Sequence, residues 1–134
     1  MELDFTALKK ALASLSRAVE RSAGDEGDEE LRDAVIQRFE YTFELCWKML
    51  KRRLEMDLAV SSEVDAMSYK TLMRESAERG LIQDVIKWLI YREQRNITSH
   101  TYDLAKAQSV YKTAVEFVSD AQALLHELEK RNHD

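Results

Sequence analysis

The stretch "RFEYTFELCWKMLKRRLE", residues 38–55, decides the fold. Its apolar residues Phe39, Phe43, Cys46, Leu50 and Leu54 recur every three or four positions, which is the period of one helix face and not of a strand. Upstream, Val35 and Ile36 extend that face. Gly27 and Asp28 offer a loop and an N-cap, so one long helix is predicted over 29–57. A helix of this length with a broad apolar face needs partners laid against it, which makes it the spine of a bundle.

The same rhythm appears on both sides of the spine. Phe5, Leu8, Leu12, Leu15 and Val19 predict a helix over 3–23, closed by Gly24. Residues 58–67 lose helical periodicity, are rich in small polar residues and read as a connection. Ser68 caps a short helix over 69–79, which Gly80 stops in a left-handed conformation. Asp84 opens the next helix, "DVIKWLIYREQRN", whose apolar residues occupy nearly every side of its first two turns. That distribution implies burial on more than one face, inside the bundle or against another subunit. Asp103 caps the last helix, which runs to about 130 on Ala107, Val110, Tyr111, Ala114, Phe117, Val118, Ala121, Leu124, Leu125 and Leu128. The prediction is one all-α domain over 1–134, an up-and-down antiparallel bundle of four long helices and one short one.

Composition agrees with this reading and limits the function. Among 134 residues there is no Pro and there are three Gly, so the usual punctuation of strands and hairpins is nearly absent. The net charge of −5 argues against a general nucleic-acid binder, yet the run "GDEGDEE" at 24–30 supplies five acids by itself and the rest of the chain balances. Within "WKMLKRR", Lys48, Lys51, Arg52 and Arg53 form either a local basic patch or a solvated helix face. A single cysteine, Cys46, excludes an intrachain disulfide, fits a reducing compartment and reads as a small buried filler. No signal peptide or transmembrane window is apparent, so a cytoplasmic protein without membrane contact is expected. His126 and His133 lie far from any thiol, so neither metal nor cofactor is expected.

One stretch does not fit a packing role so simply. "YREQRNITSHTYD", residues 91–103, gathers Arg95, Asn96, His100 and Tyr102. On a continuous helix, Arg95 and His100 would point roughly 140° apart, and His100 and Tyr102 roughly 200° apart. Ile97, Thr98 and Ser99 are weak helix formers and Asp103 looks like a new N-cap, so the helix is predicted to end inside "NITSHTY". Arg95 then projects from a last helical turn while His100 and Tyr102 occupy a bend, where the side chains can converge.

Two readings of that bend stay open. Arg forks onto phosphate oxygens and histidine exchanges protons near neutrality, so the group suits phosphodiester chemistry without a metal. His100 would move a proton at a ribose hydroxyl or a leaving oxygen, Arg95 would stabilise charge growing on phosphorus, and Asn96 would orient either group. One His serves poorly as both acid and base, which points to a two-fold homodimer with two copies of the motif in one cleft. Alternatively, Arg, His and Tyr at a bend simply satisfy helix ends and carbonyls. Tyr91, one turn before Arg95, and Lys48 are read as possible lining of the same cleft. Trp47 and Trp88 could stack on bases or pack in the core.

"RNITSH" followed by "TY" resembles the Arg-x4-His-x-Tyr motif of HEPN-domain proteins, in particular HepT-like toxins. With "RFEYTFELCWKMLKRRLE" and "SYKTLMRESAERGLI", at 38–55 and 68–82, it looks like the HEPN branch called nucleotidyltransferase substrate-binding proteins. The resemblance covers about 30–130 and implies a dimeric up-and-down bundle that associates with a minimal nucleotidyltransferase, the MNT partner. It implies Arg95 and His100 as the catalytic pair, Asn96 as the accompanying polar residue and Tyr102 as an acceptor of AMP. Two roles follow from it: a subunit that binds nucleotide or RNA for the nucleotidyltransferase, or a ribonuclease toxin silenced by AMPylation. A purely structural helical adaptor is the third possibility.

Overall fold

The computed structural model describes residues 2–132, so His133 lies outside the described residues. Six α-helices follow one another: α1 (Thr6–Ala23), α2 (Glu29–Asp57), α3 (Ser62–Asp65), α4 (Tyr69–Glu78), α5 (Val85–Ile97) and α6 (Leu104–Arg131). A single 3₁₀ turn, Thr98–His100, separates α5 from α6. Among the described residues there is no strand, and no helix is long and apolar enough to cross a membrane.

Local chemistry fixes these boundaries. Asp28 accepts hydrogen bonds from the backbone N–H of Glu30 and Leu31, Ser68 from Thr71, Asp84 from Lys87 and Asp103 from Lys106, each satisfying donors that a helix start leaves unpaired. Gly80 adopts φ 77°, the left-handed conformation that ends α4 at no steric cost. Two expectations need correction. The first helix begins at Thr6 and not at residue 3, because the Asp4 carboxylate takes both the backbone N–H and the hydroxyl of Thr6. The connection over 58–67 contains the one-turn helix α3, whose Val64 is buried; a single turn is too short to show a period.

The bundle is up-and-down. Contacts between α1 and α6 run in opposite order along the two helices, from Leu3–Asn132 through Lys9–Glu129 to Ser22–Tyr111, so these helices are antiparallel. Contacts between α2 and α6 run in the same order, from Phe39–Phe117 to Arg53–Arg131, as up-down-up-down connectivity requires. The spine, α2, packs against α1, α5 and α6, while the short α4 rests chiefly on α5.

Five aromatic rings form the middle of the core. Phe117 of α6 meets Phe39, Phe43, Trp88 and Tyr91 with ring centroids 5.0–6.2 Å apart, mostly edge to face. Trp88 is therefore a core residue. Cys46 is fully buried, and burial pushes its thiol pKa upward, so it fills space as an unreactive thiol. The second apolar face of α5 is not buried within the bundle: Ile86 is 69% and Ile90 42% exposed.

Candidate functional site

Helix α5 stops where weak helix formers begin, and the corner closes its own backbone. The Thr98 hydroxyl donates to the Arg95 carbonyl at 2.7 Å, and the Thr101 hydroxyl to the Thr98 carbonyl at 3.2 Å. The Asp103 N–H takes the His100 carbonyl at 3.2 Å. Threonine hydroxyls and a backbone amide, not the side chains of Arg95, His100 or Tyr102, thus satisfy the carbonyls of Arg95, Thr98 and His100. His100 is exposed, Tyr102 is 87% exposed, and their rings lie edge to face at 6.2 Å.

Arg95, in contrast, is held. Its Nε donates to Glu44 Oε1 at 2.6 Å and its Nη2 lies 3.7 Å from Glu40 Oε1, both on α2. The second oxygen of Glu44 accepts the indole N–H of Trp47 at 3.0 Å. One carboxylate therefore fixes two side chains, and both line a pocket of about 350 Å³ formed by α2, α3, α4 and α5. Phe43, Trp47, Tyr69 and Leu72 supply its apolar wall, and Lys51, Arg92, Arg95 and Asn96 together with the carboxylates of Glu44 and Asp65 supply polar groups. Arg92 lies over the Tyr69 ring at 4.7 Å, a cation–π contact. The Tyr69 hydroxyl donates to the Trp88 carbonyl at 2.7 Å; burial pushes its pKa upward, so it stays a neutral donor.

Several residues singled out from the sequence sit elsewhere. Tyr91 does not line this pocket: it is 2% exposed, and its hydroxyl donates to Asp120 on α6. It falls one turn before Arg95, but α6 lies over that face of the helix and takes the ring into the aromatic core. Lys48 is exposed, and Lys51, one turn on, reaches the pocket. The basic run at 48–53 is also less basic than it reads, because Lys51 pairs with Asp65 at 3.1 Å and Arg53 with Asp57 at 2.8 Å. Sequence reasoning missed Glu44, Tyr69 and Arg92 as site residues. The only available signal was register: Glu44 stands three positions before Trp47, and Arg92 three before Arg95 and four before Asn96, so each set shares a helix face. Among the described residues, no group of three or more His, Cys, Asp and Glu is arranged to hold a metal ion.

Comparison with known proteins places this geometry. Residues 3–130 match the family described as nucleotidyltransferase substrate binding protein like. A Haemophilus influenzae protein named probable ribonuclease HepT is 44% identical over 98 residues, 73% of this chain and 67% of the relative. A solved Haemophilus influenzae structure, described as the fold of a substrate-binding domain of a nucleotidyltransferase, superposes with a TM-score of 0.88 at 36% identity, covering 94% of this chain and 99% of the other. A Thermus thermophilus structure does so with a TM-score of 0.74 at 30% identity, covering 90% and 98%. Sequence and fold agree over nearly the full length, and this chain belongs to the nucleotidyltransferase substrate-binding-protein-like family, the HepT-like group that its motif resembles.

Proposed function

We propose that this protein is the HEPN component of a two-protein system, binding RNA or nucleotide in the cleft of a homodimer and acting with a minimal nucleotidyltransferase. The observation that carries this reading is the corner at 95–103. The carbonyls of Arg95, Thr98 and His100 are satisfied by Thr98, Thr101 and Asp103, which leaves His100 and Tyr102 available for a ligand beside the Arg95 that Glu44 holds in place. In the ribonuclease form of the reading, His100 of one copy removes the proton from a ribose 2′-hydroxyl and the oxygen attacks the adjacent phosphorus. The 5′-oxygen leaves with a proton from His100 of the second copy, giving a 2′,3′-cyclic phosphate and a 5′-hydroxyl end. Arg95 stabilises the charge on phosphorus and Asn96 orients the phosphate. The exposed Ile86 and Ile90 face of α5 supports a second copy docking beside this corner.

Tyr102 fits the role of a modified residue. Its hydroxyl stands in solvent two positions from His100, where a nucleotidyltransferase could direct it onto the α-phosphorus of ATP with release of pyrophosphate. The attached AMP would bring bulk and negative charge to the place an RNA phosphate must enter. A second reading, a non-catalytic substrate-binding subunit, is favoured by one feature: the pocket beside Arg95 can hold a nucleotide with no cleavage step.

The test is cleavage of a mixed RNA pool in EDTA by protein produced without a partner, wild type beside His100→Ala. Loss of cleavage in the variant alone supports the ribonuclease. Absence of cleavage by either, with an intact dimer and unmodified Tyr102, leaves the binding subunit. Co-expression with the nucleotidyltransferase and MgATP should raise the intact mass by whole AMP units in wild type and not in Tyr102→Phe.

A further inference from the structure

We propose that the pocket bounded by α2, α3, α4 and α5 is a nucleobase subsite, in which the base attached to a phosphate held by Arg95 stacks on the indole of Trp47. It rests on the reading of Arg95 as a phosphate contact. At about 350 Å³ the pocket sits at the lower end of the roughly 300–1,000 Å³ usual for small-ligand sites, room for one nucleoside and not for a helix. Its chemistry is divided as a nucleotide's is: an aromatic and aliphatic wall inside, with two guanidinium groups and a carboxamide from α5 beside it, the lining carboxylates Glu44 and Asp65 being engaged by Arg95 and Lys51.

Trp47 differs from Trp88 in the way this role needs. Trp88 is sealed in the core, whereas Trp47 is half-buried against the core and also lines the pocket. The one polar atom of its indole is bound to Glu44 at 3.0 Å, which fixes the ring and leaves it only π and edge surface to offer. The other oxygen of Glu44 holds Arg95 at 2.6 Å. A single carboxylate thus sets the spacing between a stacking platform and a phosphate-binding cation, and Glu44 is a positioning residue for both. Stacking accepts any base, because each has a π face, so the subsite by itself selects nucleotides over bare phosphate and does not select sequence. Asn96, on the next turn from Arg92, is the group on hand to read a base edge.

The experiment titrates the full chain with AMP, GMP, CMP, UMP and inorganic phosphate, following tryptophan emission and binding heat. All four nucleotides should bind more tightly than inorganic phosphate and should alter the emission. Trp47→Ala should weaken nucleotide binding by about 5- to 150-fold, the range of base–aromatic stacking, and leave inorganic phosphate binding unchanged. Trp47→Leu, which keeps apolar packing against the core, should show the same loss if the alanine variant is poorly folded, and Trp47→Phe should restore most of the affinity. Equal affinity for nucleotides and inorganic phosphate, or nucleotide binding indifferent to Trp47→Leu, overturns the subsite. Because the readout is binding, absence of RNA cleavage alongside Trp47-dependent binding would remove the ribonuclease and leave the subsite standing. RNA cleavage with Trp47-independent binding would do the reverse.

Discussion

Helix α5 serves two regions built on opposite terms. Its first half gives Trp88 and Tyr91 to the aromatic core, where each ring touches other rings and Phe117 is fully buried. Its last turn gives Arg95 and Asn96 to a corner whose His100 and Tyr102 stand in solvent. In the core, side chains hold the backbone in place. At the corner the backbone is held by small residues, Thr98, Thr101 and Asp103, so that His100 and Tyr102 are left over, while Arg95 is tied across to Glu44. The core and the proposed site are thus separated along one helix by about one to two turns, and substitutions should sort accordingly.

The largest effect belongs to the core. Phe117→Ala removes the ring that four other aromatics share and should lower unfolding free energy by about 3–5 kcal/mol, read as a fall in the denaturant midpoint. A loss near zero would mean the five rings do not form one packed unit. Next, Asp103→Ala removes the N-cap of α6 and should cost about 0.5–2 kcal/mol, with faster amide exchange concentrated at 104–106. Uniform protection there would show that the corner is held by something other than its cap.

Tyr91→Phe deletes one hydrogen bond and should cost about 1 kcal/mol at neutral pH. Burial, and then the bond to Asp120, raises the Tyr91 pKa above the ordinary 10, so the folded state keeps a proton that the unfolded chain releases. That contribution is fully present below pH 10 and is lost as pH climbs beyond it. Wild type should therefore lose stability more steeply than Tyr91→Phe in that range, with Tyr69, also raised, keeping some slope in both. Parallel pH profiles would show that Tyr91 ionises equally well in both states. The smallest effect is expected at the corner: His100→Ala and Tyr102→Phe should change stability by no more than about 0.5 kcal/mol. A destabilisation of core size at either would return them to the structural role.

The helices were legible because each long one carries its own period, and the caps at Asp28, Ser68, Asp84 and Asp103 are local signals that need no tertiary knowledge. The break inside "NITSHTY" was legible for the same reason. The pocket was not. Glu44 and Arg95 are 51 positions apart in sequence, and nothing in either segment announces which carboxylate on α2 meets which cation on α5. Tyr91 was illegible for another reason: spacing placed it near Arg95, and only the position of α6 determined that it faces Phe117 and Asp120. Helical spacing reports neighbours on one helix, not what lies across from them.

At the far end of the bundle, Leu3 and Asn132 grip one another twice: the Leu3 N–H donates to Asn132 Oδ1 at 2.8 Å, and Asn132 Nδ2 to the Leu3 carbonyl at 3.1 Å. The 28 residues of α6 run from the corner to this clasp, a span of roughly 42 Å at 1.5 Å per residue. A fluorophore or affinity handle attached near either residue therefore reports from the same pole of the molecule, at the other end of α6 from the corner. A circular permutant that joins 132 to 3 by a short linker and opens the chain in the exposed segment at 59–61 should keep both the core and the corner, since neither depends on the chain being continuous there.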